Sequence, residues 1–113
     1  MGDANSVLDA AQARHLVRRT GFGVDRALAA SLTGLTRGQA AARLVGFKVR
    51  NNAPRGRDFR SLHDKWLKQM VGTRTPLFEK LVLFWHDHFA TNFTTVPRAD
   101  AMGRQNRLLR QYC

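Results

Sequence analysis

The residues best suited to chemistry fall together in PLFEKLVLFWHDHFATNF, Pro76 to Phe93, where His86, His88 and Asn92 interrupt a run of large apolar side chains. Imidazole can move protons or ligate metals near neutral pH, and a carboxamide offers a donor and an acceptor at once. Spacing narrows the choice. Two residues apart on a helix, His86 and His88 diverge by about 200°, so they cannot close on one ion as an i, i+4 pair does. The chain has no HExxH, no nucleophile elbow and no pair of carboxylates on one face; the one carboxylate beside the histidines, Asp87, falls on the polar side of the helix. The only cysteine, Cys113, permits neither an internal disulfide nor a multi-cysteine metal cluster. The sequence therefore assigns no catalytic residue, metal or cofactor.

What must position these groups is a helix. Thr75 followed by Pro76 is a strong start, because threonine can accept from orphan amides and proline at the first position forfeits no intrahelical bond. Around that helix Leu77, Phe78, Leu81, Val82, Phe84, Trp85, Phe89 and Phe93 share one broad arc, opposite Glu79, Lys80, Asp87 and Thr91. Such an arc predicts a helix over about 76–93, buried on most sides, with His88 and Asn92 near the middle of its apolar half and His86 projecting elsewhere. Asn106 stands on a second apolar face, formed by Ala99, Met102 and Leu109 of a final helix. His88, Asn92, His86 and Asn106 are thus the candidate polar site, or else they hydrogen-bond within the core and fix its packing.

Nineteen basic against eight acidic side chains give a net charge of +11, a field that favours polyanions. Two basic clusters could grip one: the aperiodic loop FKVRNNAPRGR with Lys48, Arg50, Arg55 and Arg57, and the stripe Arg104, Arg107 and Arg110 at three-residue spacing. A solvated loop and a wet helix surface account for the same residues. Binding of this kind, to nucleic acid or another polyanion, would be directed at phosphates and weaken with salt.

The remaining chain reads as short helices with recognisable starts. Ser6 with Asp9 suggests a capping box opening a helix from Val7 to about Arg19, with Val7, Leu8, Ala11 and a half-buried His15 on one side, ended by Gly21 in a left-handed cap. Asp25 caps a second helix stopped by Gly34, and Thr36 with Gln39 opens a third that Gly46 closes, the two forming a helical hairpin. Asp58 caps a fourth, in which Phe59, Leu62, Trp66 and Met70 form a core stripe. The longest apolar run, Leu81 to Trp85, is far short of the ~20 residues that span a bilayer. The N-terminus has no basic segment followed by an apolar one, so as written it carries no export signal. We expect an all-α chain, one compact domain over 1–113 of five or six helices around one long buried helix.

Three segments, ARHLVRRTGFG (13–23), PLFEKLVLFWHDHFAT (76–91) and QNRLLR (105–110), with Trp66 and Met70 at suitable spacing before the second, resemble the bacterial DUF1800 family. The resemblance covers nearly the whole chain, and the FWHxHFAT run is its most specific part. It implies a mainly helical protein several hundred residues long, of which this chain, ending in mid-helix, would be roughly the opening quarter. The rest of that longer chain would then be its first partner. Members often carry export signals, which this N-terminus does not match. The family brings no established activity, only the expectation that His86, His88 and Asn92 lie in its most recognisable segment.

Overall fold

The computed structural model describes residues 3–23, 25–48, 52–88 and 98–113. The chain is all-α. Its helices are α1 (Ala10–Thr20), α2 (Arg26–Leu32), α3 (Arg37–Val45), α4 (Phe59–Gly72), α5 (Pro76–His88) and α6 (Ala99–Tyr112), with no strand among the described residues. They gather into two compact units, Met1–Phe47 and Lys48–Cys113. No helix among the described residues is long and apolar enough to cross a membrane.

In the first unit the predicted starts of α2 and α3 are observed. Asp25 accepts from the Leu28 amide, and Thr36 and Gln39 exchange both bonds of a capping box. The start of α1 differs from the expectation: the cap is Asp9, boxed with Gln12, three residues later than Ser6. The reason is non-local. Residues 4–8 run antiparallel to 34–38, with Leu8 N–H on the Leu35 carbonyl (2.9 Å), Gly34 N–H on Leu8 (3.0 Å) and Arg37 N–H on Ser6 (2.9 Å), so Ser6 and Val7 are held in that pairing and cannot open a helix. Gly34 takes φ +86°, a left-handed conformation in which a side chain would be strained. Gly21 is extended rather than left-handed, and His15 and Ala11 are exposed rather than turned inward. The core consists of Leu8, Ala13, Val17, Ala29, Leu32 and Ala40, with Leu16, Leu28, Leu35 and Leu44 around it. Here α2 packs chiefly on α1, not in the expected hairpin with α3.

In the second unit α4, α5 and α6 pack on one another. Asp58 caps α4 as predicted, accepting from Ser61 N–H at 2.8 Å. The loop before it lies directly on the helix: a Cβ at Gly56 would stand 2.5 Å from the Leu62 backbone nitrogen, so only glycine fits. Helix α5 begins at Pro76 as its Thr-Pro start predicts, and residues 89–93 of the expected longer helix lie outside the described residues.

Candidate functional site

The buried face of α5 is turned by about a quarter of the circumference from the arc that hydropathy suggests. Phe78, Glu79, Val82 and His86 are buried, while Leu83, Phe84 and Trp85 are exposed, Phe84 and Trp85 meeting edge to face at 5.1 Å. The expectations that Glu79 lies on the wet side and His86 projects away from the core are both corrected.

The cause is the partner that α6 brings. Arg110 and Glu79 form a bidentate ion pair, Nη1 to Oε1 and Nη2 to Oε2, each 2.8 Å, with both side chains 1% exposed. Placing these charges indoors requires that their remaining polar atoms be matched. They are. Arg110 Nε donates to Asn106 Oδ1 at 2.7 Å and Nη1 also to Asn52 Oδ1 at 3.2 Å. Glu79 further accepts from Gln69 Nε2 at 3.1 Å and from the Trp66 indole at 3.4 Å. The guanidinium lies 5.6 Å from the centre of the Phe78 ring. Arg110 is therefore not part of a wet basic stripe; each of its three guanidinium nitrogens donates inside the unit.

Beside this network a cleft of about 270 Å³ opens between the helices. Its walls are mostly apolar, from Pro54, Phe59, Leu62, Trp66, Leu83 and Met102, with His63, His86, Asp87 and Asn106 as polar members. His86 is 7% exposed, its ring 4.8 Å from that of Trp66, and its Nε2 is covered without a hydrogen-bond partner. Burial first, and then the nearby Arg110 charge, hold its pKa below the ordinary 6.5, so the ring is neutral at physiological pH. A neutral imidazole carries one donor and one acceptor.

Of the residues the sequence singles out, the structure brings His86 and Asn106 to one cleft. Asn106 is buried as its helical position predicts, and it also anchors Arg110. Asn92 and Arg50 lie outside the described residues, and of His88 only the helical backbone is described. Lys48, Arg55, Arg57 and Arg107 are exposed, and exposed Arg104 pairs with Asp100 at 3.4 Å. Sequence reasoning missed Glu79, Arg110, Gln69 and Asn52 as one network. One signal existed: Glu79 is the only glutamate in the chain. No group of three or more His, Cys, Asp or Glu among the described residues could hold a metal ion.

A family model described as "Protein of unknown function (DUF1800)" matches residues 15–113. No curated protein and no solved structure matches the chain.

Proposed function

We propose that this chain, which belongs to the DUF1800 family, contributes a neutral-histidine cleft that binds a small, largely apolar molecule carrying one hydrogen-bonding group. The observation that carries this reading is His86 Nε2, buried at the wall of an apolar cleft with its hydrogen-bonding capacity unused. A buried polar atom left unpaired costs about 1–3 kcal/mol, and a role in packing alone would return nothing for it. Trp66 and Phe59 supply flat apolar walls, and Asn106, locked by Arg110, adds a fixed polar point. Such a division, mostly apolar with a few placed polar groups, is the usual character of small-molecule sites. Because Nε2 is itself covered, a ligand oxygen reaches it when the ring turns about its Cβ–Cγ bond, a side-chain adjustment common on binding.

The test uses phenol and toluene, which differ in the hydroxyl. Calorimetry on the chain is expected to find phenol preferred, and His86→Phe to reduce that preference by about fivefold or more, the worth of one net hydrogen bond. Equal discrimination in the two proteins, or no binding of either probe, contradicts the reading.

A further inference from the structure

A second site lies in the first unit, on residues that play no part in the cleft. Helices α1 and α2 border an open groove of about 860 Å³, walled by Arg14 and Arg18 from α1 and by Arg26 from α2, over a floor of Ala10, Ala29 and Ala30. All three arginines are exposed. The unit contains six arginines and three aspartates, and the aspartates are committed to backbone amides: Asp3 to Asn5, Asp9 to Gln12 and Asp25 to Leu28. Among the described residues, no carboxylate lines the groove.

Packing does not explain this arrangement. Arg14 and Arg18 stand one turn apart on the same face, where like charges repel. Arg26 is the first residue of α2, the end at which the helix dipole disfavours a cation. Only Arg18, in the last turn of α1, sits where the dipole favours it. An oxyanion between the three would reverse the repulsion. Guanidinium forks match phosphate oxygens two at a time, and the short alanine floor leaves the arginine tips to make the contacts. Arg14 and Arg18 are separated by only about 6 Å along the helix, near enough for two guanidinium forks to share one phosphoryl group. We infer that the α1–α2 groove binds a phosphate monoester through Arg14, Arg18 and Arg26.

The probe is glycerol phosphate, titrated calorimetrically into the chain, with a short single-stranded oligonucleotide as a second arm. Arg14→Ala/Arg18→Ala/Arg26→Ala is expected to weaken glycerol phosphate by about tenfold or more, since charge-assisted bonds exceed neutral ones. Arg60→Ala/Lys68→Ala/Arg74→Ala removes three exposed charges elsewhere and is expected to change affinity by less than about threefold, through the general field alone. Equal losses in the two variants overturn the inference, as does an oligonucleotide that depends on the groove while glycerol phosphate does not bind. If the triple alanine variant loses its helical circular dichroism, lysine at the three groove positions decides: weaker binding at unchanged charge supports the guanidinium site, and unchanged affinity overturns it.

Discussion

Glu79 and Arg110 show how a charge can be interior without being a defect: each carboxylate oxygen accepts from two donors, and the guanidinium holds two asparagines as well as its counter-ion. Removing one partner strands the other, so Glu79→Leu or Arg110→Leu alone is expected to cost about 3–5 kcal/mol. The double variant should cost well under the sum of the singles, because neither charge is then left alone. Urea unfolding of the three variants measures this coupling. His86 gives a second prediction. Its folded pKa lies below 6.5, with burial the larger cause, so on acidification the unfolded chain takes up this proton first. Stability from this residue is therefore constant above about pH 6.5 and falls as pH drops from there toward the folded value. Unfolding free energies measured between about pH 6.5 and 5 should show that slope in the natural chain, and His86→Phe should flatten it. Asn106 was legible in the sequence because its neighbours at helical spacing are apolar. The Glu79–Arg110 pair was not, because its members stand 31 residues apart and meet only through packing.

At the scale of elements, the readable features were those set by three or four consecutive residues. Asp25, Thr36 and Asp58 cap their helices as their types and spacing predict. The start of α1 escaped because residues 4–8 pair with 34–38, a partner that no local window contains. The two candidate caps can be told apart by mutation. Asp9→Ala is expected to cost about 1 kcal/mol, while Ser6→Ala, which removes an exposed hydroxyl bond to Asp3, should cost only a few tenths. Gly34→Ala forces a side chain into the left-handed region and is expected to cost about 1–2 kcal/mol. Thermal unfolding followed by circular dichroism checks all three. The face of α5 was misjudged for a related reason. Hydropathy puts Phe84 and Trp85 within the buried arc, whereas the ion pair to Arg110 of α6 draws Glu79 inward, and His86 is buried on the same side.

For the whole molecule, composition set the charge and helical periodicity the class, and both stand in a chain of the DUF1800 family. Its eight carboxylates are few, and several serve helix caps or the interior, which leaves arginine the dominant surface charge. Against that basic exterior, the cleft beside α5 is mostly apolar and its histidine neutral. The most direct measurement of the central claim is nitrogen NMR of the His86 ring while phenol is added. The account predicts that an imidazole nitrogen resonance of His86 moves with phenol and stays still with toluene. If phenol shifts only the methyl signals of Leu62 and Met102 and leaves both His86 nitrogens unmoved, the imidazole does not take part in binding and the proposed site is wrong.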